Sequence, residues 1–262
     1  MFVQKRIFTL TIIIFFSFFS FSQESRSVID SLLNELEKAD NKSKIEILNS
    51  LSMRYWDFSL DSSFYFANEA LNIAHIEQDM QGVSNAYNRI ANVYTFQNEH
   101  EKALEFYQKS LDIRLEIGDS KGISNIYNNI AIVYFEQNQL GIALDYYYKA
   151  LKESQQRKDK NDIAAYYSSV AVIYYNLNDY KNAIKNFTLS MEIAKDINNE
   201  IGLARVYNQL GNVYVDISGY EEALSYFLDA LEIFEQHDNK AGISMLYNNL
   251  GIVYQRLNEN NK

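Results

Sequence analysis

Four blocks of forty residues, Gly82–Lys121, Gly122–Asn161, Asp162–Ile201 and Gly202–Ala241, align along this chain without a gap. No other feature constrains the fold as much, because self-similarity at such a period means copies that bury their faces on one another. A fifth copy opens at Gly242 and runs to Lys262, half a block, and a weaker copy spans Lys42–Gln81 with one residue missing from its internal turn. The first half of each block carries Tyr87, Ile90, Ala91 and Tyr94, repeated as Tyr127, Ile130, Ala131, Tyr134, then Tyr167, Val170, Ala171, Tyr174, then Tyr207, Leu210, Gly211, Tyr214. Offsets of three, four and seven define one face of a helix. A turn at Asn98, Asn138, Asn178 or Ser218-Gly219 follows, and the second half repeats Ala103, Tyr107, Ser110 as Ala143, Tyr147, Ala150, then Ala183, Phe187, Ser190, then Ala223, Phe227, Ala230. That too is one helical face.

Each block is therefore an antiparallel pair of helices. Ala91 or Gly211 on the first and Ala103 or Ala223 on the second remove bulk, so the two axes approach and tyrosine rings fill the flanks. A 262-residue chain without a single proline suits nearly continuous helix, since proline would remove a backbone donor and clash with the preceding turn. One pair cannot bury both of its faces, so its second helix covers the first helix of the next copy. Such a stack leaves no cavity for chemistry.

These residues resemble the tetratricopeptide repeat, whose pattern is an aromatic, a large aliphatic followed by a small residue, then Tyr, Ala, an aromatic and a small residue. The resemblance covers nearly all of the chain from Lys42 onward. Tyrosine stands where the family usually has tryptophan, the family's terminal proline is missing from every copy, and the period is 40 rather than about 34. Both the length and the missing proline follow if the second helix is longer and ends at a cap such as Gly118-Asp119. The longer form is similar to arrays in bacterial regulatory proteins and motor-protein light chains. The resemblance implies an all-α fold, a right-handed α-α superhelix. It divides the chain into a signal peptide (1–22), an amino-terminal capping helix (23–41), a degenerate hairpin (42–81), four full repeats (82–121, 122–161, 162–201, 202–241) and a half repeat (242–262). Val28, Ile29, Leu32, Leu33 and Leu36 have helical spacing and lid the first hairpin.

Lys5 and Arg6 precede an apolar run from Ile7 to Phe21, and Ser20-Phe21-Ser22 supplies small residues for a peptidase. This reads as a cleaved secretory signal and a periplasmic or secreted protein; the rival is an inner-membrane anchor formed by an uncleaved 7–21 segment, which is short of the roughly 20 residues a spanning helix needs. After cleavage no stable membrane anchor is expected. Without cysteine there is no disulfide, thiol nucleophile or lipidated cysteine. The remaining 22 basic and 34 acidic residues oppose binding to nucleic acid, whose affinity needs clustered Lys and Arg.

The resemblance implies that the first helices line an inner, concave surface, and asparagines gather there. Asn88, Asn128, Asn208 and Asn248 share a column; Asn92 and Asn212 lie four residues on, Asn85 and Asn125 three residues before, and Asn129 follows Asn128. A carboxamide both donates and accepts, so a ladder of them can pair with an extended peptide backbone. The other reading is that these side chains bridge adjacent repeats. Only Arg89 and Arg205 add positive charge to the stripe, so a neutral segment, or a folded partner with a basic patch, fits better than a terminal carboxylate.

No residue pattern marks an enzyme, a cofactor or a metal. His100 takes a turn position filled elsewhere by Leu140, Tyr180 and Tyr220; His75 and Asp79 are only two ligands; and His237 has no evident partner. Glu101, Glu105, Glu221 and Glu222 form a solvated face. Gly82, Gly122, Gly202 and Gly242 open blocks, Gly211 and Gly251 are small packing residues, and the rest lie at turns or caps. The expected function is an exported scaffold for a protein or peptide. The half repeat at the end leaves three alternatives open: an adequate cap, self-association through the last helix, or truncation of a sensory input module before the output domain of a histidine kinase or transcriptional regulator.

Overall fold

The computed structural model describes residues 23–56 and 58–260, so the segment read as a signal peptide or anchor lies outside the described residues. Among the described residues there are twelve helices and no strand. They are α1 (Gln23–Lys38), α2 (Asn41–Tyr55), α3 (Leu60–Ile76), α4 (Met80–Phe96), α5 (His100–Ile117), α6 (Ser120–Glu136), α7 (Leu140–Arg157), α8 (Lys160–Asn176), α9 (Tyr180–Asp196), α10 (Glu200–Asp216), α11 (Tyr220–Gln236) and α12 (Lys240–Asn260). The even-numbered helices from α2 onward are the first helices of the hairpins. The chain forms two compact units, one ending at Val133 and the other beginning at Tyr134. None of the described helices is long and apolar enough to cross a membrane.

From α4 to α12 every helix begins twenty residues after the last, and local chemistry enforces this spacing. A residue in the left-handed conformation closes each helix: Gln78, Asn98, Gly118, Asn138, Lys158, Asn178, Asn198, Ser218 and Asp238 all have φ between 47° and 70°. One residue later the next helix is capped, with Asp79, Asp159, Asp179 and Asn199 accepting from the backbone N–H three residues on. Asp119 and Asn239 serve Gly122 and Gly242 in the same way. Glu99 and Gln139 take the capping position of second helices without a side-chain bond.

Only one of those nine left-handed positions is glycine. Lys158 adopts φ 56°, ψ 31°, a conformation that costs an L-residue about 1–2 kcal/mol. Lys158→Gly is expected to raise stability by about 1 kcal/mol after the added freedom of the unfolded chain is counted. Urea titration would measure it, and a lower midpoint would count against the strain argument.

The cores follow the repeat columns. In the first unit Ile29 of α1 joins Leu48, Leu51, Tyr55, Phe66, Ala70 and Ala86, so the amphipathic first helix covers the hairpin behind it. In the second unit Ala204, Tyr207, Ala223, Phe227, Ala230, Phe234, Leu246, Leu250 and Val253 form one cluster. Ala91, Ala103, Ala171, Ala183 and Ala223 are fully buried, and a Cβ at Gly211 would run into the ring of Phe227. Gly251 differs from the packing role its column suggests. It is exposed and a Cβ there would meet nothing, because no described helix follows α12 to press on it. The same face of α12 exposes Tyr247 and Tyr254.

Candidate functional site

Capping by Asp79, Asp119, Asp159, Asn199 and Asn239 fixes where every first helix from α4 onward starts, and with it the register of the asparagines each carries. The structure brings several of them together across neighbouring repeats. In the first unit Asn129 Nδ2 on α6 donates to Asn88 Oδ1 on α4 at 3.0 Å, and Asn128 Nδ2 donates to Asn129 Oδ1 at 3.3 Å. In the second unit Asn249 Nδ2 on α12 donates to Asn208 Oδ1 on α10 at 2.9 Å and lies 3.5 Å from Asn212 Oδ1. Asn208 Nδ2 also reaches the sulfur of Met245 at 3.9 Å. Tyr175 ties α8 to α10 in the same manner, its hydroxyl donating to Asp216 at 2.6 Å. Its pKa is pushed up to about 12 by burial and by that bond.

Other members of the stripe are spent within a hairpin. Asn92 is buried and accepts from the Tyr107 hydroxyl at 2.7 Å, and Asn85 accepts from the Arg114 guanidinium. Asn125, Asn248 and Arg205 stand exposed or nearly so at the surface, and Asn128 is half-buried. The face is thus a mixture of carboxamides that bind repeats together and carboxamides that lie at the surface. Asn249 escaped the sequence reading although the doubled Asn128-Asn129 and Asn248-Asn249 carried its signal. In each pair the second asparagine reaches back to the preceding repeat.

Arg89 breaks this pattern. It occupies on α4 the column that Asn129 and Asn249 hold on α6 and α12. Allowing for the residue missing from the weak first copy, the acceptor column on α2 is filled by Asn49. The helices α2 and α4 lie against each other, yet Arg89 Nε and Asn49 Oδ1 are both buried and neither has a hydrogen-bond partner. Burial pushes the Arg89 guanidinium below its ordinary value, against a smaller opposite effect of Tyr107. An unsatisfied buried donor and acceptor each cost about 1–3 kcal/mol.

The stack also contains an opening, which the sequence reading did not anticipate. In the second unit a cleft of about 250 Å³ lies beside α8, α9 and α10, lined by Asn161, Ala164, Ala165, Ser168, Ser190, Ala194, Asn199, Gly202, Arg205 and Val206. Ala194 stands on α9 in the column that Arg114 holds on α5 and Phe234 on α11.

His237 Nε2 pairs with Glu200 at 2.6 Å, a partner 37 residues away that spacing alone concealed. The His75 ring meets Tyr87 edge-on at 6.3 Å. Among the described residues no three His, Asp or Glu side chains converge to hold a metal ion.

Known proteins agree with this architecture. Among solved structures, BtubC from P. vanneervenii superposes with a TM-score of 0.69 at 22% identity, over 76% of this chain and 85% of that one. A Rap protein complexed with competence and sporulation factor gives 0.66 at 17% identity, over 90% and 72%. A signal transduction ATPase with a tetratricopeptide repeat sensor from Pyrococcus horikoshii gives 0.71 at 20% identity, over 87% of this chain and 36% of that one. Among curated proteins, none matches by sequence. These likenesses concern the fold. The tetratricopeptide repeat pattern itself matches residues 82–156, 162–236 and 202–262, and with that span of the sequence matched the chain belongs to the tetratricopeptide repeat family, a scaffold for interactions with proteins and peptides.

Proposed function

We propose that this protein is an exported scaffold that holds an extended, weakly charged peptide segment of its partner against the face of its first helices. The unpaired Arg89 Nε and Asn49 Oδ1 carry the reading. A donor and an acceptor left unsatisfied, where two other pairs of repeats are joined by an Asn–Asn bond, are the two types of group that a ligand amide answers with its C=O and N–H once side-chain movement opens them to the face. A carboxylate would satisfy Arg89 and be repelled by Asn49 Oδ1. Exposed Asn125 and half-buried Asn128 extend the same face. Export rests on Lys5, Arg6 and the apolar run that follows them.

Arg89→Asn places at this column the residue type that pairs with Asn88 from position 129, and so removes the guanidinium donor. On an array of low-charge peptides, residues 23–262 carrying Arg89→Asn together with Asn128→Ala are expected to bind about tenfold more weakly than the parent. Arg89→Asn alone is expected to melt at a higher temperature. Unchanged peptide binding would refute the assignment. Asn88 and Asn208 are poor choices for this test because each already holds two repeats together.

A second reading takes the array as the input part of a signalling protein. It is favoured by the likeness to the sensor-bearing ATPase, whose own chain extends well beyond the matched region.

A further inference from the structure

The cleft beside Ala194 is best understood through its counterparts, because the same place recurs wherever a glycine opens a first helix and a second-helix residue faces it. At Gly122 the facing residue is Arg114, and a Cβ on the glycine would lie 2.5 Å from the guanidinium. At Gly242 it is Phe234, fully buried, whose ring would lie 2.5 Å from such a Cβ. At Gly82 the facing residue is Ala74, and there Ile45 of α2 fills the space, 2.8 Å from where the added carbon would lie. At Gly202 the facing residue is Ala194, and the three atoms nearest the added carbon all belong to the capping side chain of Asn199. Three of these places are filled from within the chain. The fourth is the cleft of about 250 Å³.

The lining indicates which filling is missing. Where Arg114 sits, Ser84, Asn85 and Asp119 receive it. The corresponding residues around the cleft are Ala164, Ala165 and Asn199, so the hydroxyl and the carboxylate are gone and the one carboxamide oxygen left already accepts from the Gly202 N–H. Where Phe234 sits, the corresponding residues are Ala204, Asn239 and Gly242. The cleft has Ala164, Asn199 and Gly202, the same three residue types. Two of its polar groups are engaged within the chain: Ser190 Oγ donates to the Ala164 carbonyl at 2.7 Å and Gly202 N–H donates to Asn199 Oδ1 at 2.9 Å. The buried Ala164, Ala194 and Val206 give the floor an apolar surface, half-buried Ser168 lies on the wall, and Asn161, Ala165 and Arg205 stand exposed around the opening. An apolar cavity of about 150 Å³ is enough to take up benzene.

We propose that this cleft is a subsite for one aromatic side chain of the partner, which fills from outside the place that Phe234 fills from inside. The proposal rests on the scaffold reading above and names a recognition element of it. The exposed guanidinium of Arg205 suits the face of a bound ring or the carbonyl beside it.

The test is titration of residues 23–262, with ¹³C-labelled alanine methyls, by N-acetylphenylalaninamide and separately by N-acetylalaninamide. The aromatic amide is expected to shift Ala164, Ala165 and Ala194, and the alanine amide to leave them in place. Ala194→Phe should abolish the shifts at Ala164 and Ala165, and Ala194→Leu should reduce them, with helix content unchanged in both by circular dichroism. Peptides captured through an aromatic residue should bind Ala194→Phe about tenfold more weakly. Absence of shifts in the parent, equal shifts from the two amides, or shifts that persist in both variants would overturn the subsite. These outcomes are separate from those at Arg89: peptide capture that depends on Arg89 and ignores Ala194→Phe defeats the subsite alone, whereas fragment shifts with capture indifferent to Arg89 defeat the backbone-docking reading alone.

Discussion

Arg114→Ala is expected to lower the stability of the first unit by about 3 kcal/mol, the scale on which one partner of a buried ion pair is lost. The side chain is only 8% exposed and is held by three residues at once. Its Nε donates to Ser84 Oγ at 2.6 Å, and its two terminal nitrogens reach Asp119 and Asn85. Truncation leaves a hydroxyl, a carboxamide and a carboxylate without their common donor, and a hole beside Gly122. The second unit shows the remedy, since it has Ala194 together with Asn199, Ala164 and Ala165. Adding Asp119→Asn to Arg114→Ala should therefore recover part of the loss, and Ser84→Ala with Asn85→Ala more. Trp56, the sole tryptophan, lies in this unit with its ring edge-on to Phe96, and its fluorescence reports the transition in urea. An unshifted midpoint for Arg114→Ala would contradict the role assigned to the guanidinium.

The same cluster gives a pH dependence with a definite sign. Burial acts to raise the Asp119 carboxyl, but the Gly122 N–H and the Arg114 guanidinium outweigh it and hold the group below its usual range. A carboxyl lowered in the folded state stabilises fully above its unfolded value near 3.9, and the contribution is lost as pH falls through the folded value. Removing Arg114 takes away one of the groups that lower it, so the acid unfolding midpoint of Arg114→Ala should move to higher pH.

Phe227→Ala should cost about 3–5 kcal/mol, the range for deleting a large buried aromatic. Phe227 is fully buried at the centre of the cluster that joins α10, α11 and α12. Its ring presses on Gly211 so closely that even a methyl group there would collide with it. The neighbouring α8–α9 pair has Ala171 and Phe187 in the same two columns, both buried, so a methyl group is accommodated there and the collision belongs to the closer α10–α11 pair. Gly211→Ala should therefore be unfavourable beside Phe227 and favourable once Phe227 is alanine, when only the helix propensity of about 1 kcal/mol remains. Circular dichroism in urea on the four proteins of that cycle measures both effects, and additivity would sink the packing argument.

The fold was legible because its signal is redundant. The same tyrosine, aliphatic and small-residue columns recur in every block, and the buried Ile90, Ala91, Ala103 and Tyr107 lie where those columns place them. The asparagine face was half legible. Column spacing gathered Asn88, Asn128 and Asn208 on one helical face, but only the folded chain reveals that Asn129 and Asn249 reach back 41 residues and draw on Asn88 and Asn208. The His237–Glu200 pair escaped for the same reason. The cleft was illegible for a different one: its signal is a side chain that is too small. An alanine at 194 looks ordinary until Arg114 and Phe234 are seen filling the equivalent places. The orphan pair at Arg89 and Asn49 lay across the irregular first hairpin, where the missing residue shifts the columns by one.

The even spacing of left-handed turns also bears on how quickly the chain reaches its native state. The bonds that join neighbouring first helices, Asn129 to Asn88, Tyr175 to Asp216 and Asn249 to Asn208, connect positions just 41 apart. Loop closure is thus confined to short stretches, and structure can nucleate at any hairpin and grow toward either end. A chain of this design has no need to wait for its last residue before its first hairpins are formed, and lengthening it by further hairpins would add little to the time each one takes.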